Sequence, residues 1–247
     1  AEAADQLKIY AAGSLGQVMQ QIIAASGLPQ RNVATPVLGP AGLLRKRLQS
    51  GESTDLFVST DVAQPRAVAT DDGGLVVPFA RNRMCLVGWD RLGLTRDNAL
   101  DKMLSPDLRL ATSTPGADPG GDYARAVFAR AEAVHPGAQA ALTEKALTLV
   151  GGPGSAQPQP SYAPAAAIFA DNRADLFLYY CTGAAVVMSQ VPGLSAVPMP
   201  DDLEVYPVYW LAVLSDRPEA ERLALFMVSE HGQAILSHNG LLPLVER

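Results

Sequence analysis

Lys8-Ile9-Tyr10-Ala11-Ala12-Gly13-Ser14-Leu15-Gly16-Gln17-Val18-Met19-Gln20-Gln21-Ile22-Ile23 changes its hydrophobic period halfway along, and that change decides the fold class. The run up to Ala12 is continuously apolar after Lys8 and short, as a buried strand is, whereas Leu15, Val18, Met19, Ile22 and Ile23 fall on one face of a helix. Gly13-Ser14 marks the switch, so Ser14 is a helix N-cap candidate. The unit recurs: 33–38 is strand-like, Gly39-Pro40-Ala41-Gly42 turns, and Leu43, Leu44, Arg47 and Leu48 continue as a helix whose start suits Pro40. A third copy has a strand at 55–59 and a short helix over 62–70. Three successive βα units predict a parallel sheet with right-handed crossovers.

The extended stretch 75–89 is too long for an ordinary strand and contains Pro78, which would weaken a central one. It reads as a strand passing between two lobes. A second series follows, with a helix near 98–104, a strand at 108–112, a loop over 113–121 and helices over 123–133 and 138–147. The Gly-, Pro- and Gln-rich segment 151–160 is expected as a surface loop. Beyond it come a helix over 162–171, a strand at 175–181, strands near 194–197 and 206–214, and helices over 219–229 and 232–238. The resulting organisation is residues 1–80 as the first part of lobe I, 81–186 as lobe II, and 187–247 as the return to lobe I. No internal repeat of solenoid length is present.

Composition excludes several classes. A chain of 247 residues with 48% hydrophobic and 18% charged content, its 19 prolines and 21 glycines spread out, is an ordinary globular chain. No apolar run approaches the length of a membrane helix. A formal charge of −6, with Arg45-Lys46-Arg47 as the densest basic cluster, argues against a nucleic-acid partner. The opening Ala1-Glu2-Ala3-Ala4 has the look of a mature chain after removal of a signal peptide, and the expectation is a secreted, periplasmic protein, with lipid anchoring left open.

The catalytic inventory is thin. His135, His231 and His238 show no metal-site spacing, and neither a phosphate loop nor a dinucleotide fingerprint is present. Ala12-Gly13-Ser14-Leu15-Gly16 differs from a nucleophile elbow at one position, and Asp201 and His238 could complete a Ser, Asp, His order. Against this serine hydrolase stands the position of the elbow on the first strand, before any strand that could supply the oxyanion hole. A different chemistry fits better: Ser14, the turn 39–42, Ser59-Thr60 and Asp118-Pro119-Gly120-Gly121 all lie at strand-to-helix junctions. Helix N-termini carry unpaired N–H groups and partial positive charge, and in a parallel sheet such junctions share the ligand-binding edge. The alternative is that they are ordinary caps and turns.

The ordered set 11–15, 39–43, 55–61, 114–123 and 174–184 resembles the periplasmic molybdate-binding proteins of ABC transporters, nearly end to end. The resemblance implies an α/β, two-lobed periplasmic-binding-protein (type II) fold, each lobe a mostly parallel sheet flanked by helices and joined by crossing strands. It also implies that the chain is not an enzyme but the substrate-binding component of an importer, holding a molybdate or tungstate oxyanion between the lobes. Carried over by motif, Ser14 supplies a hydroxyl, Thr60, Gly120 and Tyr162 supply backbone amides, and Tyr180 supplies a phenol. Ala41 stands where the family has a second serine, so that hydroxyl is missing, and sulfate or phosphate becomes an alternative ligand. A related tungstate- and molybdate-binding group adds carboxylates to the metal; Asp118 is the candidate here, while the second such position falls on Tyr179. Direct protein ligation of the metal is therefore not expected, and Asp118 has the competing role of an N-cap. The implied partners are a small inorganic oxyanion and an ABC transporter permease, with no cofactor, no nucleic acid and a monomeric state.

Cys85 and Cys181 are expected on neighbouring strands of the second lobe, either as a disulfide or as two buried thiols. A bridge there would stabilise the lobe without taking part in anion binding.

Overall fold

The structure is a computed structural model that describes residues 6–69, 74–156, 158 and 163–244. Its strands are β1 (Ile9–Ala12), β2 (Val37–Gly39), β3 (Leu56–Ser59), β4 (Leu75–Arg81), β5 (Met84–Trp89), β6 (Leu110–Ser113), β7 (Leu147–Val150), β8 (Leu176–Tyr180), β9 (Leu194–Pro198) and β10 (Val208–Val213). Its α-helices are α1 (Gly16–Ala25), α2 (Ala41–Gln49), α3 (Ala63–Val68), α4 (Ala99–Leu104), α5 (Pro119–Val134), α6 (Ala138–Lys145), α7 (Ala166–Ala170), α8 (Cys181–Gln190), α9 (Pro218–Val228) and α10 (Glu230–His238). The chain divides into unit 1, made of Ala1–Arg81, Gln157–Ser161 and Val208–Arg247, and unit 2, made of Asn82–Ala156 and Tyr162–Pro207.

Each unit carries a five-stranded sheet of the same design. Unit 1 orders its strands β2-β1-β3-β10-β4 and unit 2 orders them β7-β6-β8-β5-β9. In the first, β1 runs parallel to β2 and β3, and β10 is antiparallel to β3 and β4. In the second, β6 runs parallel to β7 and β8, and β5 is antiparallel to β8 and β9. β1 and β3, apolar but for Ser59 at the end of β3, are buried along their whole length, as parallel strands covered on both faces must be. Val18, Met19, Ile22 and Ile23 of α1 are buried, and these are the residues the helical period selected.

The long stretch 75–89 resolves into two strands, β4 in unit 1 and β5 in unit 2, separated by Asn82 and Arg83. Pro78 is tolerated because β4 is an edge strand, and the pairing with β10 shifts register between Tyr209 and Trp210, where Pro78 faces Trp210.

Several expectations need correction. The chain leaves unit 2 at Pro207, not near 187, because β9 extends the second sheet against β5, with Leu86 opposite Val197. The segment after β9 is held there as well: Arg83 Nε donates to Glu204 Oε1 at 2.8 Å and Arg96 Nη2 to Asp201 Oδ1 at 2.7 Å. β7 and α8 were not anticipated. Ser14 is not an N-cap; it lies inside a 3-10 turn, Gly13–Leu15, and neither that turn nor α1 has a side-chain cap. Pro158, within the expected surface loop, belongs to unit 1, where its ring occupies the place a Cβ on Gly13 would take.

Cys85 and Cys181 form a disulfide with Cα atoms 4.8 Å apart. Cys85 lies in β5 as expected, while Cys181 is one residue past the neighbouring β8, at the first position of α8. Around it, Val87, Ala111, Ile168, Phe169, Phe177, Ala184 and Val187 make one apolar cluster of unit 2. Each large side chain buried there contributes roughly 1.5–3 kcal/mol.

Candidate functional site

The carboxyl ends of β1, β2 and β3 lie side by side in unit 1, since Ala12 pairs with Gly39 and Ala11 with Val58. Ser14, Ala41 and Thr60 follow those three ends, so one edge of the sheet collects all three predicted positions, on strands spaced about 4.8 Å apart. Ser14 is half-buried, and its hydroxyl makes no hydrogen bond among the described residues. Ala41 is fully buried and is the first residue of α2. The amides of Leu43 and Leu44 both donate to the Pro40 carbonyl at 3.0 Å, which closes the first turn. The amides of Ala41 and Gly42 precede that closure and have no acceptor among the described residues. They are the open donors of a helix start, where the absence of a hydroxyl on Ala41 leaves backbone N–H groups and the helix dipole as the attractive elements.

At the third junction Thr60 is buried. Its neighbour Ser59 donates its hydroxyl to Asp61 Oδ1 at 2.9 Å, and the same oxygen accepts the Gln64 amide at 3.2 Å. Sequence reasoning missed two side chains here. Trp210 lies opposite Ser59 across the β3–β10 pair, and the Arg66 guanidinium stands 5.6 Å from its ring. Neither residue belongs to a recognisable motif, and only their convergence in space reveals them.

Unit 2 repeats the serine-to-aspartate device. Ser113, the last residue of β6, donates its hydroxyl to Asp118 Oδ2 at 2.6 Å, and Asp118 Oδ1 accepts the Gly120 amide at 3.0 Å. Asp118 is therefore the N-cap of α5, with Pro119 in the first turn. The N-cap role considered for Asp118 is thus the one its hydrogen bonds serve in this structure. The Gly120 amide is engaged by an internal carboxylate.

Tyr180 ends β8 and is completely buried, with its ring 6.1 Å from Tyr123 and 4.7 Å from Tyr179. Tyr179 fills the gap between two helix starts. A Cβ on Gly120, in the first turn of α5, would stand 2.8 Å from Tyr179 Cε2, and one on Gly183, in the first turn of α8, 2.5 Å from Tyr179 Cδ1. Both positions are glycine because this ring occupies the space a side chain would need. Tyr162 lies outside the described residues.

No hydrogen bond joins Ser14 to a histidine among the described residues. His238 is exposed at the end of α10, and Asp201 is paired with Arg96. Among the described residues no three His, Cys, Asp or Glu side chains gather as a metal site, and no helix is long and apolar enough to cross a membrane.

Comparison with known proteins matches this arrangement to a family. The bacterial extracellular solute-binding protein family matches residues 7–242. An uncharacterized protein of Pasteurella multocida (strain Pm70) is 37% identical over 243 residues, covering 96% of this chain and 98% of that one. Among solved structures, the periplasmic molybdate-binding protein of Azotobacter vinelandii superposes with a TM-score of 0.72 at 17% identity, over 98% of this chain and 100% of its own. The sulfate-binding protein SubI of Mycobacterium tuberculosis H37Rv gives 0.74 at 15% identity, over 97% and 87%. Peb3 of Campylobacter jejuni gives 0.71 at 15%, over 96% and 99%. These likenesses establish the two-lobed periplasmic-binding-protein fold, and the family match establishes a small-molecule ligand and a transporter permease as the partner. The chain belongs to the bacterial extracellular solute-binding protein family.

Proposed function

We propose that this protein is the periplasmic, monomeric solute receptor of an ABC importer and that its ligand is a tetrahedral oxyanion, with molybdate or tungstate first. The observation that carries the reading is the carboxyl edge of unit 1: β1 and β2 end side by side, Ser14 follows one end with a hydroxyl that has no partner among the described residues, and Ala41 and Gly42 follow the other with amides that have no acceptor among them. Neutral donors of this kind bind a compact dianion without a counter-charge, because fixed dipoles at a helix start act most strongly where water is excluded. Thr60 adds to this set in unit 1, and Gly120, Tyr162 and Tyr180 are the donors proposed from unit 2.

A second reading keeps the fold and changes the anion to sulfate or phosphate. The alanine at position 41 favours it, since one hydroxyl of the molybdate pattern is missing. The Asp118 carboxylate at the start of α5 favours, within this reading, an anion that carries a proton, such as hydrogen phosphate.

A thermal-shift panel of molybdate, tungstate, sulfate, phosphate and chromate tests both. A ligand at ~100 times its Kd adds about 2.7 kcal/mol of stability. Molybdate and tungstate giving the largest shifts supports the first reading, sulfate or phosphate leading supports the second, and no shift with any of them removes both.

A further inference from the structure

We infer that the Cys85–Cys181 disulfide and the Asn82–Thr182 hydrogen bond together position Tyr180 for ligand, so that oxyanion affinity depends on this clamp; the inference rests on the oxyanion reading. Sequence alone gives the bond a role in stability only. Its place in unit 2 gives it a second one. β5 and β8 are already paired from Met84 opposite Tyr180 to Gly88 opposite Leu176, so the register of the two strands needs no cross-link. The disulfide acts one residue past the end of that ladder, on the first residue of α8.

α8 has no side-chain cap; its N-cap position is Tyr180, with φ −57° and ψ 139°. Two hydrogen bonds reach the same turn, and a third holds Asn82 in place to make one of them. The Cys181 amide donates to the Arg83 carbonyl at 2.9 Å, Asn82 Nδ2 donates to Thr182 Oγ1 at 2.8 Å, and Asn82 Oδ1 accepts the Arg83 amide at 2.8 Å. Asn82 is buried and is the first residue of unit 2, where the chain arrives from β4. Cys181 and Thr182, the two residues that follow Tyr180, are thus tied by one covalent bond and two hydrogen bonds to residues 82–85. A phenol donor is useful to an anion only if its position is fixed before the ligand arrives, since ordering it afterwards subtracts from affinity.

The test is calorimetry with molybdate on four proteins: wild type, Cys85→Ala/Cys181→Ala, Tyr180→Phe, and the triple variant. All are measured at a temperature where circular dichroism shows each fully folded. A charge-assisted hydrogen bond that is lost or misplaced costs about ten- to a hundredfold in Kd, which sets the expected weakening of the cysteine-pair variant. If the clamp works through Tyr180, the triple variant binds no worse than the cysteine-pair variant, because coupled positions are non-additive. Unchanged affinity in the cysteine-pair variant, or additive losses in the triple, overturns the inference. Thr182→Val, which keeps the disulfide, is expected to weaken binding several-fold with little change in Tm, and covers the case in which the cysteine-pair variant does not fold. Hydrogen exchange without ligand separates this claim from the oxyanion reading. If wild type binds no molybdate, that reading falls, while faster exchange at 181–184 in the variants, with α5 unchanged, still supports the clamp and unchanged exchange refutes it.

Discussion

Replacing Gly183 by alanine in α8 pits two effects of opposite sign against each other at one position. Alanine is favoured over glycine inside a helix by roughly 1 kcal/mol, so an open site would gain stability. Here the new Cβ would stand 2.5 Å from Tyr179 Cδ1 and 2.6 Å from Cε1, about 1 Å inside a normal carbon contact. The ring cannot step aside: it stacks on Phe177 at 4.9 Å, leans on Tyr180 at 4.7 Å, and has Gly120 close to its far edge. The start of α8 must then move, although the Cys181 disulfide resists that movement. Overpacking of this kind costs about 1–3 kcal/mol, and the net expectation is a loss of roughly 1–2 kcal/mol. The sign should reverse when the ring is removed. In a Tyr179→Ala background, Gly183→Ala is expected to raise stability by roughly 0.5–1 kcal/mol, read as urea midpoints by circular dichroism. Gly183→Ala as stable as wild type, or equally destabilising in both backgrounds, would refute the account of Tyr179 as the ring that fills this space.

Three further outcomes follow from the same structure. Removing the disulfide, which spans a sequence separation of 96, is expected to destabilise unit 2 by about 4–5 kcal/mol in the chain-entropy model, measured by reversible denaturation of Cys85→Ala/Cys181→Ala. Asp175 is held below the usual carboxylate range, chiefly by its hydrogen bond from Arg109. A depressed carboxylate stabilises the fold above its unfolded pKa and loses that contribution as pH falls through the folded value, so Asp175→Asn should flatten the acid limb of the stability profile and cost more at pH 7 than at pH 3. Tyr180→Phe is expected to weaken oxyanion binding about ten- to a hundredfold while preserving the fold, and calorimetry showing unchanged affinity would take Tyr180 out of the site.

What the sequence revealed, and what it hid, follows from the range of the forces involved. The βα units around Ser14, Ala41 and Thr60 were legible because strand and helix periods are local, and Pro78 was correctly read as foreign to a central strand. α8 escaped because its start carries no side-chain cap, and its apolar run continues that of β8 without a turn residue between them. The return from unit 2 was placed too early because strand pairing is non-local: only the partner strand β5 reveals that β9 belongs to the second sheet. In the site, chain order and spacing located the junctions, but hydrogen bonding assigned their roles. That Asp118 caps α5 was a local reading the structure shows, but its bond from Ser113 needed the fold to be seen. Arg66 and Trp210, distant in sequence, had no signal at all before folding.

The most direct measurement of the central claim is titration calorimetry of molybdate into protein that has been unfolded, dialysed free of bound anions and refolded with its disulfide intact. The account predicts one molybdate per chain, with a Kd in the micromolar range or tighter and a clear loss of affinity in Ser14→Ala. No binding heat with molybdate, tungstate, sulfate or phosphate, from protein shown to be folded and stripped, would contradict it.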